Sequence, residues 1–300
     1  MFNFKSDIQF INYFRLFNFV SLILILISVG FIFYKGLNFG VDFKGGTLIE
    51  LRVENDEIGI GDVRQSFIKM NLGDVNVKKF GKGNDYLIKF EQTDKNKENF
   101  IENIKTQLSK NLAGNFSFRR VENVGPKVSG ELLKSGLIAI VLSLSAMLIY
   151  IWIRFEWQFS LGAIIALIHD VIITIGFFSI LEFEINLSIV AAVLTIVGYS
   201  MNDTVVIFDR VRENLKKYSS KSINEISNLS INETLSRTII TSLTTLLALL
   251  SIFFFGGKIL HGFSFAMILG VIFGTYSSIF IANPILIKLK VNQKSVLKGE

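Results

Sequence analysis

"LFNFVSLILILISVGFIFY", Leu16 to Tyr34, runs for nineteen residues without a charge. As a helix it measures about 28 Å, close to the ~30 Å hydrocarbon core of a bilayer. A run of this length reads as a membrane span. It is too long for the apolar part of a cleaved signal peptide, and no small-residue cleavage pattern follows, so it is expected to remain as an anchor.

The same signature recurs along the chain. Uncharged runs lie at Ser135 to Ile153, Ile185 to Asn202, Thr238 to Gly257 and Ile259 to Ile287, and a run from Trp157 to Leu181 is broken only by His169 and Asp170. Half of the 300 residues are hydrophobic, and they sit in blocks rather than amphipathic stripes. The fold class expected is a polytopic α-helical membrane protein with spans at 16–34, 131–153, 157–181, 185–208, 238–257 and 259–287. Residues 1–15, the loop 209–237 and the tail 288–300 lie on one side of the membrane, and residues 35–130 form a domain on the other.

Orientation follows from Lys and Arg near the spans. The first side holds thirteen: Lys5, Arg15, Arg154, six from Arg210 to Arg237, and Lys288, Lys290, Lys294 and Lys298. The two short opposite loops hold only Lys258. Both termini are therefore expected in the cytoplasm. The net charge of +6 is then mostly topology; it favours anionic membrane lipids as partners at that face, and no nucleic acid is expected. The absence of Cys excludes disulfides and thiolate metal sites, and two distant His, His169 and His261, make no metal constellation.

The 35–130 domain has legible periodicity. Ile49, Leu51 and Val53 alternate with Glu50, Arg52 and Glu54, which predicts a half-buried strand. Val63, Phe67 and Met70 recur at helical spacing, and Val75 and Val77 open a second strand. A turn at Gly81, Lys82 and Gly83 leads to a third, with Tyr86, Ile88 and Phe90. Ile101, Ile104, Leu108 and Leu112 mark another helix, and Phe116 and Phe118 a last strand. Strand, helix, strand, strand, helix, strand is the order of an α+β ferredoxin-like unit. No nucleotide loop, nucleophile-base pair or paired carboxylate stands out in it, so a binding or lever domain is expected rather than an enzyme.

Charge inside a span is costly, so each such residue is a functional candidate. In the fourth span Ser188, Thr195, Tyr199, Asn202 and Asp203 share a face, which is expected to meet protein rather than lipid. The fifth begins at Arg237 and continues with Thr241, Thr244 and Thr245 on one face. Antiparallel neighbours can bring Arg237 and Asp203 to similar depth as an ion pair; alternatively Arg237 snorkels to the headgroups. A static buried pair with no role beyond packing is the plain reading for Asp203. The third span adds His169 and Asp170, with Thr174 one turn on: relay members, or a packing histidine and a structural acceptor. Gly270 and Gly274 in the sixth span have the spacing of close helix packing, within the chain or against a partner.

Four motifs together carry a family resemblance: "GVDFKGGT" (Gly40 to Thr47) after the first span, "VGP" (Val124 to Pro126) before the second, "HD" at His169 and Asp170, and "GYSMNDTVVIFDRVREN" (Gly198 to Asn214). In order and spacing they resemble the SecF family of bacterial protein-export subunits over nearly the whole chain. The resemblance implies a member of the resistance-nodulation-division superfamily, not an enzyme, in the bacterial inner membrane with its large domain periplasmic. It implies pairing with SecD, binding to the SecYEG channel, contact with a YidC-type insertase and YajC, and unfolded preproteins as substrates. It implies use of the proton-motive force in late steps of export, with protons as coupling ion and no other cofactor. Asp203 matches the family's essential intramembrane Asp, and Arg237 its Arg at the start of the fifth span. Tyr199, Asn202, His169 and Asp170 are expected in support. Gly40, Asp42, Gly45, Gly46, Gly125 and Pro126 lie in the two segments expected to couple the spans to the outer domain. Two alternatives stand beside this: a passive scaffold for Sec complex assembly or membrane-protein insertion, and half of a small-molecule or lipid exporter of the same superfamily.

Overall fold

The structure, a computed structural model, describes residues 8–55, 57–79, 83–91, 97–112, 115–293 and 296, with backbone only at 97–99 and 258. Lys5, Lys294, Lys298 and the turn residues Gly81 and Lys82 lie outside them. The chain divides into two compact units, residues 39–136 and the remainder.

In the first unit a short helix precedes a four-stranded sheet. The elements are α2 (Val41–Lys44), β1 (Gly46–Val53), α3 (Ile60–Ile68), β2 (Val75–Lys79), β3 (Asp85–Phe90), α4 (Lys97–Asn111) and β4 (Phe116–Val124). The sheet order is β2-β3-β1-β4 with every pairing antiparallel, which is the split βαβ arrangement of a ferredoxin-like fold. The apolar face of the sheet, with Ile49, Leu51 and Ile88, packs against Val63 and Phe67 of α3 and Ile104 and Leu108 of α4. Met70 falls just beyond α3, in a turn.

β1 corrects the sequence expectation. Alternation predicts a half-buried strand, yet all of it is buried except half-exposed Arg52, and even Glu50 is 9% exposed. The reason is its central place: Glu50 stands opposite Leu87 of β3 and Arg120 of β4, so its stem is flanked by long side chains on both sides. Register shifts between Glu50 and Leu51, leaving Arg119 as the extra residue of a bulge in β4. Arg52 reaches across to Asp85 with two bonds, Nε to Oδ1 at 2.7 Å and Nη2 to Oδ2 at 2.8 Å.

The second unit is helical. α1 (Phe14–Lys35) follows a 3-10 turn at Phe10–Tyr13; α5 (Pro126–Arg154), α6 (Trp157–Ile180), α7 (Leu187–Lys217), α8 (Ile223–Phe255), α9 (Lys258–Ser277) and α10 (Asn283–Lys288) follow. Among the described residues six helical stretches, the last running through α9 and α10, are long and apolar enough to cross a membrane. The inner three, α6, α7 and α9, bury about half or more of their apolar length, whereas α1, α5 and α8 turn most of theirs outward. Outward apolar side chains such as Leu26, Leu142 and Leu247 are what a lipid surround requires.

Two features differ from the sequence reading. The stretch 209–237 is expected to be a loop, but α7 continues to Lys217 and α8 starts at Ile223. Val211 and Leu215, buried at i and i+4, carry the helical stripe onward. Ser222 then caps α8 in a reciprocal box with Glu225. The run 259–287 is not one regular helix either, because Ser278–Ala282 is π-helical. Pro284 has no N–H and its ring crowds the carbonyl of Phe280, so the turn before it widens. The Ser278 carbonyl also accepts from Asn283 Nδ2 at 2.9 Å.

Candidate functional site

α6, α7 and α9 cross at Asp170, which has no exposure. Its Oδ2 accepts from Ser200 Oγ of α7 at 2.6 Å and from Ser277 Oγ of α9 at 2.7 Å. Its Oδ1 lies 2.8 Å from Nδ1 of His169. The His169 ring stacks on Tyr276, centroids 5.9 Å apart, and its Nε2 is buried with no hydrogen-bond partner among the described residues. Tyr276 is tied to α1: its hydroxyl donates to the Phe17 carbonyl at 2.6 Å and meets Ser21 Oγ at 2.7 Å. Thr174 does not reach the carboxylate; its hydroxyl donates to the Asp170 backbone carbonyl.

Asp203, three residues after Ser200 on α7, is 3% exposed. Its Oδ2 lies 3.4 Å from Ser242 Oγ of α8 and 3.3 Å from Thr275 Oγ1 of α9, and those two hydroxyls bond each other at 2.7 Å, so with one proton apiece only one of them donates to the carboxylate at a time. The two carboxylates are thus held in opposite ways. Asp170 has short bonds, and Asp203 has long ones near the limit of a hydrogen bond.

α9 serves both. Thr275 and Ser277, two residues apart, project from different sides of the helix, one to each carboxylate. The approach that permits this comes from glycine. A Cβ on Gly270 would fall on Ile196 of α7, and one on Gly274 would fall against Ser200. The small-residue spacing of the sixth span therefore packs within the chain.

Other expected members are not gathered. Among the described residues no ion pair joins Asp203 to Arg237; Arg237 is exposed, and its charge acts on Asp203 only at longer range. Asn202 and Thr195 are exposed too, and Tyr199 turns to the Thr241 carbonyl at 3.4 Å. The polar stripe of the fourth span is thus split: Asp203 and Tyr199 meet protein within this chain, whereas Thr195 and Asn202 are exposed. The buried side of α7 runs through Ile196, Ser200, Asp203 and Ile207, and a 100° step from Asp203 puts Asn202 outside it.

In the sheet domain Gly45 and Gly46 have φ of 77° and 109°, values that suit glycine alone. A Cβ on Gly45 would press on Ser129 Oγ and the Val124 carbonyl, each at 3.3 Å. Gly46 pairs with Val124, so the two glycine-containing segments lie side by side. Gly40 caps α2, whose first turn contains Asp42, and Gly125 separates β4 from α5, which starts at Pro126.

Sequence reasoning did not single out Ser200, Ser242, Thr275 or Ser277 as partners of the two carboxylates. Hydroxyl side chains are common in spans and usually bond their own helix, so only interhelical register reveals these. "GYSMND" held one signal: Ser200 and Asp203 at i and i+3 share a side of α7.

Residues 104–292 match the family described as "Protein export membrane protein SecD/SecF, C-terminal", and residues 30–57 match the "SecD/SecF GG Motif". The chain is 49% identical over 283 residues to "Protein translocase subunit SecF" of Rickettsia bellii, covering 94% of this chain and 93% of that one. It is 46% identical over 302 residues to the same-named protein of Rickettsia prowazekii, covering 99% and 96%. Among solved structures it resembles "SecDF, a translocon-associated membrane protein" of Thermus thermophilus, with a TM-score of 0.87 and 33% identity over 97% of this chain and 40% of that one. A SecDF structure in a super-membrane-facing form matches with a TM-score of 0.68 and 34% identity over 94% and 39%. The chain thus spans about two fifths of those SecDF chains and nearly all of the SecF relatives. It belongs to the SecF family of protein translocase subunits.

Proposed function

We propose that the chain works with a SecD subunit in the bacterial inner membrane, using the proton-motive force to promote late steps of preprotein export through a SecYEG channel. The observation that carries this is Asp203: a carboxylate buried within a spanning helix and held, among the described residues, by the long hydroxyl contacts of Ser242 and Thr275. A carboxylate so placed is costly to keep charged, and weak bonds let it change partners. In this reading both termini are cytoplasmic and the sheet domain is periplasmic, as the Lys and Arg distribution favours. YidC-type and YajC partners belong to the same reading, and unfolded preproteins are the substrate.

Arg237 acts here as a positive charge facing the carboxylate in one of two helix arrangements. When Asp203 takes a proton that attraction disappears, and the helices settle into the second. The glycine-rich segment 36–46 and the segment 124–126 would carry the bias to the outer domain. Such coupling requires that Asp203 bind the proton with different affinity in the two arrangements. The scaffold alternative draws on Asp170, whose short bonds to three groups make an interhelical fastener.

The test is Asp203→Asn in cells depleted of their own SecF, at equal abundance and equal co-purification with SecD. The rate at which a trapped preprotein completes export is followed with the proton gradient on, then collapsed. The expected mutant keeps the gradient-independent rate and loses the rest. A gradient-dependent rate equal to wild type would leave the scaffold reading in its place.

A further inference from the structure

We propose that Asp170 is a positioning residue for Asp203: by pinning Ser200 of α7 and Ser277 of α9, it sets the distance at which Thr275 meets the Asp203 carboxylate. This rests on the reading of Asp203 as the coupling group. Three observations carry it. Both serine hydroxyls end on one oxygen of Asp170, at 2.6 and 2.7 Å, so that oxygen ties α6 to α7 and to α9 at once. Each serine is also within one turn of a group at the other carboxylate: Ser200 precedes Asp203 by three residues on α7, and Ser277 follows Thr275 by two on α9. Finally, Gly270 and Gly274 bring α9 so close to α7 that it has little freedom to adjust independently.

The charges around the clamp are few. On α6 His169 faces Asp170; α7 brings Asp203, and α9 brings Tyr276 against the His169 ring. From α8 Ser242 reaches this region, and the charge of exposed Arg237 acts on Asp203 without a direct ion pair among the described residues. A hydroxyl removed from the clamp therefore changes no charge. Any effect at Asp203 must travel through the position of α7 or α9.

The experiment reads Asp203 itself. Membranes holding the full chain with its SecD subunit are treated with a hydrophobic carbodiimide, which modifies protonated buried carboxyls, across a range of pH. Labelling is then located by peptide mass spectrometry. In Ser277→Ala the Thr275 hydroxyl is no longer held toward Asp203, and a carboxylate that loses a donor takes up its proton more readily. The pH of half-labelling at Asp203 is expected to rise by about half a unit or more. Ser200→Ala is expected to act in the same direction, Ser277→Thr to restore the wild-type midpoint, and the double alanine variant to do no more than either single. A midpoint unmoved in both single variants at wild-type abundance overturns the proposal, and if one variant fails to accumulate the other decides. Gradient-driven export measured in parallel keeps the two readings apart. Undiminished export by Asp203→Asn would sink the coupling reading, whereas an unmoved midpoint in the serine variants would sink the positioning role alone.

Discussion

Gly274 of α9 lies directly against Ser200 of α7: a Cβ at Gly274 would stand 2.9 Å from the Ser200 Cβ. Side chains do not approach so closely, so α7 and α9 can hold their distance only while position 274 has no side chain. The same contact brings the Ser200 hydroxyl to Asp170. Packing and polar chemistry here are one constraint.

Gly274→Val is therefore expected to force the two helices apart and to cost about 1–3 kcal/mol, as overpacking of a close contact does. Thermal unfolding in detergent measures it. Gly198→Ala on α7, where an added Cβ meets nothing within 4 Å, is the control and should leave the midpoint unchanged or raised, since Ala favours a helix over Gly. A loss at Gly198→Ala equal to that at Gly274→Val would mean that the α7–α9 contact does not set the cost.

The six spans and the order of the sheet domain were legible because each rests on a local pattern: an uncharged run long enough for a bilayer, or a period of two or near 3.6. Asp203 was legible as a lone charge in such a run. Its partners were not, since Ser242 and Thr275 belong to helices whose rotation about their own axes no local pattern fixes. The expected Asp203 and Arg237 pair is not made as a direct ion pair among the described residues for the same reason: similar depth does not imply contact, and Arg237 is exposed and acts on Asp203 only through its charge at longer range. The helical continuation past Phe208 was readable from Val211 and Leu215, and the π-helical stretch from Pro284. Both were hidden by reading charge as the end of a span and an apolar run as one helix. Central burial of Glu50 depends on strands on both sides of β1, which alternation along one strand does not report.

Gly46 is expected to matter more than Gly45. At Gly46 a Cβ would lie 2.7 Å from the Phe90 carbonyl oxygen, where β1 pairs with β3 and backbone cannot yield; at Gly45 the nearest atoms stand at 3.3 Å and one is a serine hydroxyl. Gly46→Ala should cost about 1–3 kcal/mol through strained backbone and clash together. Gly45→Ala should cost less than Gly46→Ala, since its strain is chiefly the positive-φ extended backbone at φ 77° and ψ 174° and its contacts are looser. Amide hydrogen exchange at Thr47, Phe90 and Val124 reads both. Faster exchange in the Gly45 variant than in the Gly46 variant would contradict the assignment of backbone contact as the stronger term.

Tyr86 supplies a pH dependence in the sheet domain. Its ring is 2% exposed and its hydroxyl donates to the Ile58 carbonyl at 2.8 Å, and burial pushes the phenol above its ordinary value of 10.0, with the nearby Asp62 charge adding to the shift. Folding thus favours the neutral phenol. The resulting stability is fully present below the ordinary value and is lost as pH rises through the higher folded-state value. Tyr86→Phe should cost about 1 kcal/mol at neutral pH, since the Ile58 carbonyl loses its donor, yet lose less than wild type on the alkaline side because nothing there must ionise. Denaturation monitored by exchange at β3 between neutral and alkaline pH should therefore bring the two proteins' stabilities together as pH rises. Parallel curves would mean that the Tyr86 phenol is not what titrates.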